Sequence, residues 1–202
     1  MHISEGILRP TVLALGWALA LPCLAVGLKR LAPESIPRTA MLAAAFFVAS
    51  LIHVPVGPSS AHLILNGLLG LMLGWAAFPA IIVGLGLQAL LFQFGGMTTL
   101  GINTCVMALP AALCGLACRP ALSSDKPWIS AAAAFACGAG AVFGSGLVVG
   151  IALVSTGEGF VQAATAVLLM NLPIMAIEGV ITAFVVAFLR KVKPEVFQAA
   201  AA

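Results

Sequence analysis

Long apolar runs separated by short breaks of polar residues, glycine and proline dominate the chain. The runs cover residues 11–28, 39–56, 61–77, 79–95, 101–118, 128–154 and 168–189. Most match the roughly 20 residues that a helix needs to cross a bilayer, so the pattern predicts an all-α integral membrane protein with about seven transmembrane helices. The stretch 61–95 is too long for one crossing, and we expect a tight hairpin of two helices that turns near Pro79.

Composition supports a membrane protein. Of 202 residues, 62% are hydrophobic and only 7% are charged, whereas soluble domains carry about 25% charged residues. The five cysteines all lie in apolar runs without a CxxC pair, which favours small, unpaired residues inside helices over disulfides or a zinc site. We therefore predict one membrane domain over 1–202, with an amino-terminal loop (1–10), a helical bundle (11–190) and a cytoplasmic tail (191–202).

The basic residues predict the orientation. With seven crossings, eight of the nine fall on one side of the bilayer, which the positive-inside rule makes the cytoplasm. The amino terminus is then outside, and the positive charge follows membrane topology instead of indicating a nucleic-acid partner. Glu5 offsets Arg9 ahead of the first run, so we expect no cleaved signal peptide. The eight residues are Lys29, Arg30, Arg38, Arg119, Lys126, Arg190, Lys191 and Lys193.

The opening dipeptide Met1-His2 is a candidate metal chelator. A histidine at position 2 lets the α-amine, the His2 amide nitrogen and its imidazole bind one ion through fused chelate rings. Four-nitrogen planar coordination suits Ni(II) or Cu(II), and imidazole also suits Co(II). A fourth ligand would come from a helix end on the same face, where His53 and His62 both qualify. The alternative for either is an interfacial residue bonded to a carbonyl.

Several polar residues near these histidines are candidates for orienting the ligands. Each has a competing role. The serines and asparagine near His62 also suit packing or capping, and the 98–103 group suits either support of the amino-terminal loop or capping of the fifth helix. The candidates are Ser59, Ser60 and Asn66, then Thr98, Thr99 and Asn103.

Glu178 is the one carboxylate inside an apolar run, about two turns below the outer end of the predicted seventh helix. Intramembrane ionisable residues are functional by default. Three roles remain open: a partner to a histidine, an interhelical hydrogen bond in protonated form, or a contact to another subunit.

The sequence contains no motif that could supply energy for transport. It shows no internal repeat of the kind found in secondary transporters and no nucleotide-binding or hydrolase motif. The chain is therefore predicted not to be an enzyme. A metal-binding site in a chain without an ATP-hydrolysing motif indicates a subunit that depends on ATP hydrolysis by its partners. The alternative is a self-sufficient divalent-metal permease or channel.

Three segments carry a resemblance to a known family. Met1-His2-Ile3-Ser4-Glu5-Gly6, the segment from His53 to Leu63 (HVPVGPSSAHL) and the segment from Gly95 to Thr104 (GGMTTLGINT) resemble the CbiM/NikM family. These are the cobalt- and nickel-specific substrate-binding (S) components of energy-coupling factor transporters, a group of ABC importers. The resemblance covers essentially the whole chain.

The resemblance implies a specific site and specific partners. It implies a seven-helix protein of the plasma membrane that takes up Co²⁺ for cobalamin synthesis or Ni²⁺ for nickel enzymes, with no organic cofactor. The implied ligands are the Met1 amine, the His2 amide and imidazole, and His62, with His53 a structural neighbour. The implied partners are a membrane coupling T component, two ATPase subunits and a small CbiN- or NikN-like membrane protein.

Small residues on two helices fit such an assembly. They permit close helix approach, either against the T component or within the bundle, and both roles are open. They are Ala14 and Ala18 on the first helix, and Gly67, Gly70 and Gly74 on the third.

Overall fold

In the part of the chain that the structure describes, the fold consists of seven α-helices and one short β-hairpin, with three short 3-10 turns. The computed structural model describes residues 2–56 and 59–194, with the backbone alone at 53–56, 59–61 and 158. The helices are α1 Pro10–Lys29, α2 Ile36–Ala49, α3 Asn66–Leu73, α4 Ala77–Phe92, α5 Leu100–Leu122, α6 Pro127–Thr156 and α7 Val161–Val192, and the strands are β1 His53–Val56 and β2 Ser59–His62. Within the described chain, α1, the α3–α4 pair, α5, α6 and α7 are long and apolar enough to cross a membrane, which confirms the predicted helical membrane fold.

The chain reverses direction between α3 and α4. The rings of His62 and Phe94 both lie beside His2, with centroids 5.0 Å and 6.0 Å from its imidazole. Gly74, between them in sequence, lies against Arg119 in the last turn of α5: a Cβ there would be 3.1 Å from the guanidinium. The α3–α4 unit therefore runs from one end of the bundle to the other and back, as the expected hairpin does.

The turn of this hairpin lies earlier than predicted. It comes at Gly74, whose φ of +58° is a left-handed conformation that favours glycine. Pro79 instead stands in the first turn of α4, where its missing N–H costs no hydrogen bond. Glycine is common at a chain reversal and proline is common just after a helix start. The sequence pattern alone did not show which of the two residues marks the turn.

The bundle has two chemically different ends. We call the end that carries His2, His62 and Phe94 the histidine end. The other, the basic end, carries the C-terminal ends of α1, α5 and α7 and the N-terminal ends of α2 and α6, and the eight clustered basic residues stand in or directly beside these helix ends. Arg190 there donates to the carbonyl oxygen of Ser124 at 2.9 Å. Successive helices alternate in direction between the two ends.

A β-hairpin replaces helix in the region 50–65. The apolar pattern predicted helix over 39–56 and from residue 61, but α2 ends at Ala49 and α3 begins at Asn66. In the antiparallel pair, His53 faces His62 and Pro55 faces Ser60 in register. Pro55 cannot donate to a helical ladder, and valines at 54 and 56 favour strands, so local chemistry overrides the apolar pattern here.

Glycines set the close approach of α3 to its neighbours. A Cβ at Gly70 would lie 1.8 Å from the carbonyl oxygen of Ala111, and one at Gly67 would lie 2.6 Å from the Cα of Gly138. The small residues of α3 therefore serve internal packing. Ala14 and Ala18 on α1, by contrast, are exposed on the outside of the bundle.

The outer surface is apolar. Leucine, isoleucine, valine and phenylalanine side chains of α7 are widely exposed, among them Leu169 at 62% and Phe184 at 73%, as is expected where the solvent is hydrocarbon. All five cysteines are free thiols, in agreement with the prediction.

Candidate metal site

His2 lies between two aromatic rings at the histidine end. Its imidazole is 5.0 Å from that of His62, with the ring planes 15° apart, and 6.0 Å from the ring of Phe94 on the loop after α4. An ion bound about 2.0–2.1 Å from an imidazole nitrogen is roughly 3.2 Å from the ring centre, so two rings sharing one ion have centres up to about 6.4 Å apart. His2 and His62 are within that limit.

His62 is held by the peptide that follows it. It ends strand β2, and its Nδ1 lies 3.2 Å from the carbonyl oxygen of Leu63. With the proton on Nδ1, that nitrogen donates to the carbonyl and the Nε2 lone pair is left for a metal. Metal-bound histidines commonly have this arrangement, in which the second nitrogen donates to a carbonyl or carboxylate.

Asn103 clasps the amino-terminal segment. Its Oδ1 accepts from the N–H of Ile3 at 3.0 Å, and its Nδ2 donates to the Ile3 carbonyl oxygen at 3.1 Å. Asn103 is 2% and Ile3 is 4% exposed, so both bonds are shielded from water. The residue after His2 is thereby fixed on the top turn of α5.

The residues around this clasp add further contacts. Nδ2 of Asn103 also donates to the hydroxyl of Thr99, which itself donates to the Gly96 carbonyl. Thr99 occupies the N-cap of α5 without a side-chain capping bond. The 99–103 group thus supports the amino-terminal loop, which is one of the two roles that the sequence left open.

Glu5 forms a second attachment of the same loop. Its Oε1 accepts from the backbone N–H of Thr98 at 3.0 Å and from the Thr98 hydroxyl at 3.2 Å. The backbone N–H and then the hydroxyl of Thr98 hold the pKa of this exposed carboxyl below its ordinary value. At neutral pH the charged carboxylate therefore helps to hold the loop against the 95–99 segment.

Gly95 allows these groups to meet. Its φ is +77°, and a Cβ there would lie 2.9 Å from Nδ2 of Asn103 and 3.8 Å from the Cβ of His2. A larger residue would be strained in this backbone conformation and would push against the clasp.

Glu178 is fully buried and reaches the chain just after His62. Its Oε1 accepts from the backbone N–H groups of Ile64 and Leu65, the latter at 2.8 Å. Because α7 begins at Val161 instead of 168, Glu178 lies 17 residues along it, about five turns instead of the predicted two. The carboxyl contacts the backbone beside a candidate ligand.

Asn66 is not placed to orient His62. Its Nδ2 donates to the Met107 carbonyl at 3.1 Å and to the Ser145 hydroxyl at 2.9 Å. It therefore joins α3 to α5 and α6. The prediction put it one helical turn beyond His62, but His62 is in a strand and the helix begins only at Asn66.

Four predicted site residues have no described side chain. Met1 lies outside the described residues. The backbones of His53, Ser59 and Ser60 are in the hairpin, where His53 pairs with His62, and their side chains are outside the described part. Among the described residues, no group of three or more His, Cys, Asp and Glu side chains is placed to hold a metal.

Three features of the site were missed in the sequence. They are the Phe94 ring, the clasp on the Ile3 backbone and the carbonyl of Leu63. Phe94 directly precedes the Gly95-Gly96 pair, in a segment already singled out, so an aromatic residue there was a usable signal. Backbone partners such as those at 3 and 63 leave no trace in residue types.

Comparisons with known proteins agree with this picture. The family model described as "CbiM: Cobalt uptake substrate-specific transmembrane region" matches residues 2–196. A Haemophilus influenzae protein whose name assigns it to metal transport is 42% identical over 97% of this chain and 96% of its own length. An Archaeoglobus fulgidus protein named as a fused nickel transport protein, NikMN, is 31% identical over 100% of this chain and 70% of its own. A crystal structure of a transition metal transporter superposes with a TM-score of 0.77 at 29% identity, covering 95% of this chain and 93% of the other.

Proposed function

Because this chain belongs to the CbiM family of cobalt-uptake transmembrane proteins, a cobalt and nickel transport family, we propose that it is the metal-capturing S component of an energy-coupling factor importer. It binds Co²⁺ or Ni²⁺ at the outer face of the plasma membrane. Partner ATPases supply the energy, and the chain itself hydrolyses no nucleotide.

The apposition of His2 and His62 is the observation that carries this proposal. These residues are 60 positions apart in sequence, yet their rings lie 5.0 Å apart at one end of the bundle. The bidentate clasp from Asn103 fixes the backbone immediately after His2. Such an arrangement places two imidazoles where one ion can bind both.

The proposed ligand set completes four nitrogens without further histidines. The Met1 α-amine, the His2 amide nitrogen and the His2 imidazole form the chelate, and Nε2 of His62 is the fourth ligand. Amide and imidazole nitrogens must lose or lack a proton to bind, so capture releases protons and weakens as pH falls. Four-nitrogen coordination suits nickel, and imidazole ligands suit cobalt as well.

Charge supports an outward-facing histidine end. The eight clustered basic residues stand at the opposite end of the bundle, and the positive-inside rule assigns that end to the cytoplasm. The histidine end then faces the side from which a nutrient metal arrives.

Features of the chain and of its relatives support the proposed partners. The fused NikMN name of the Archaeoglobus relative, only 70% of which is covered by this chain, supports a NikN-like membrane partner. The exposed face of α1 around Ala14 and Ala18 offers a small-residue surface to the T component. Direct glycine contacts of α3 with α5 and α6 leave no room for a pore along those seams, which disfavours a self-sufficient channel.

Uptake into proteoliposomes tests the proposal. The chain alone should accumulate no radiolabelled Ni²⁺ or Co²⁺, whereas the chain with its T component, ATPases and small membrane partner should accumulate it in an ATP-dependent way. His2→Ala in the complete assembly should abolish uptake. ATP-independent uptake by the chain alone would instead establish a permease.

A further inference from the structure

One peptide unit connects Glu178 to His62. The carbonyl of Leu63, which lies 3.2 Å from Nδ1 of His62, and the N–H of Ile64, which donates to Oε1 of Glu178, belong to the same planar amide. Because the N–H and the C=O of one trans peptide point in opposite directions within the same rigid plane, fixing the direction of the N–H also fixes the direction of the carbonyl. A continuous path therefore runs from the carboxyl through the peptide to the ring.

A second hydrogen bond fixes this path in place. The same Oε1 accepts from the N–H of Leu65, whose φ of +55° is left-handed and whose position is the N-cap of α3. That conformation is costly for a residue with a side chain. The Glu178 carboxyl stabilises this conformation by accepting hydrogen bonds from two consecutive backbone N–H groups at the start of α3. N–H groups at a helix start lack partners within the helix.

The path begins in the rigid interior of the bundle. Glu178 is fully buried, and its own backbone touches α6, where a Cβ at Gly138 would lie 2.6 Å from the Glu178 carbonyl oxygen. Ile64 is 1% exposed. The carboxyl therefore has a fixed position relative to α6 and α7. Its two hydrogen bonds hold the end of the strand that carries His62 against it.

From this geometry we infer that Glu178 is a positioning residue for the metal site, which acts on His62 through the Leu63–Ile64 peptide. The carboxyl oxygen orients and polarises the amide, and the carbonyl then holds the imidazole with Nδ1 protonated and Nε2 directed to the ion. The arrangement is a carboxylate–histidine–metal relay with a peptide inserted. It rests on the proposed function in taking His62 as a ligand.

The test measures Ni²⁺ affinity and the absorption spectrum of the bound ion in detergent-purified protein with a native amino terminus. Glu178→Leu removes both acceptor bonds, and we expect affinity to fall about 10- to 100-fold. Its spectrum should shift toward that of His62→Ala, because the fourth nitrogen is misplaced in the first variant and absent in the second. Thr182→Val is the matched control: Thr182 is buried one turn further along α7, and this variant should bind as the wild type does.

Two conservative variants separate positioning from charge and remain informative if Glu178→Leu does not fold. Glu178→Gln keeps a carbonyl oxygen at the same reach and should retain affinity within several-fold. Glu178→Asp keeps the charge but withdraws the oxygen by one methylene and should bind more weakly than Glu178→Gln. The reverse order would overturn the inference.

A double-mutant cycle distinguishes action through His62 from general destabilisation. In the His62→Ala background, Glu178→Gln and Glu178→Asp should differ little from each other, because the group that they position is absent. Equal losses in both backgrounds would refute the relay. If the wild type itself fails to bind Ni²⁺, the proposed function fails; if it binds and Glu178→Leu binds equally well, only this inference fails.

Discussion

At the scale of single residues, the site depends on backbone groups as much as on side chains. The side chain of Asn103 binds both the backbone N–H and the backbone carbonyl of Ile3, and the Leu63 carbonyl lies against the His62 ring. The histidines themselves were predictable because imidazoles in an apolar sequence are rare and chemically specific. Their supporting contacts were not, because any residue type presents the same peptide.

Removing the Asn103 clasp should weaken metal capture. Asn103→Leu leaves the Ile3 N–H and carbonyl without their partner and frees the segment that carries His2, so we expect Ni²⁺ affinity to fall about tenfold or more. Thr104→Val is the control, because Thr104 is the next residue on α5, is fully buried and bonds only within its helix to Leu100. Equal affinities for the two variants in competition titrations would contradict the role of the clasp.

The Glu5–Thr98 contact should depend on pH in a defined direction. The pKa of Glu5 is lowered in the folded protein, so the contact stabilises the loop above the unfolded pKa and is lost as pH falls through the lower folded value. Thr98→Val removes the hydroxyl but keeps the backbone donor, and it should raise the pKa of Glu5 part of the way to its ordinary value. NMR titration of a ¹³C-labelled Glu5 carboxyl measures this, and an unchanged pKa would disprove the contribution of the hydroxyl.

At the scale of elements, local chemistry decides where the apolar runs end. The long helices α1, α5 and α6 lie within a few residues of their predicted bounds, because hydrophobic runs of bilayer length leave few alternatives. Residues 50–65 differ, since Pro55 and its flanking valines form strand β1 where an apolar pattern alone reads as helix. The start of α7 was also missed, by seven residues, because the polar Gln162 and Thr165 interrupt its first turns.

The close contact between α3 and α5 predicts how adding one methyl group at Gly70 changes the free energy of unfolding. Gly70→Ala would place a Cβ 1.8 Å from the Ala111 carbonyl oxygen, so the helices must separate, and we expect a loss of about 1–3 kcal/mol in the free energy of unfolding. Gly86→Ala on α4 meets no atom within 4 Å and should instead be neutral or stabilise by about 0.5–1 kcal/mol. Thermal unfolding in detergent compares the two, and a Gly70→Ala variant as stable as Gly86→Ala would refute the close contact.

At the scale of the whole molecule, charge and chemistry are segregated to opposite ends. Eight basic residues stand at one end and the two paired histidines at the other, and seven alternating helices separate them. The segregation follows from the sequence, because each crossing moves the chain to the other end; seven crossings were expected, and five segments of the described chain, with the α3–α4 pair counted once, have the length and apolar composition of a membrane span. The depth of Glu178 could not be predicted from the sequence, since it depends on how far α7 extends beyond the site.

Orientation in the membrane is tested by labelling at the two ends. Gly159→Cys lies at the histidine end and has open space around it, whereas Ser123→Cys is exposed at the basic end. In intact spheroplasts a membrane-impermeant maleimide should label the first and not the second, with both labelled after lysis. The opposite pattern would invert the topology and place the histidine site in the cytoplasm.

In the proposed site, one ion is captured by the amino-terminal nitrogens together with His62. The most direct measurement is a titration of Ni²⁺ and Co²⁺ into protein with a native amino terminus, beside a form with a short amino-terminal extension and a His62→Ala form, all without a histidine tag. We predict one tightly bound ion in the native form and loss of tight binding in both altered forms. Equal binding in all three forms would contradict the proposed ligand set.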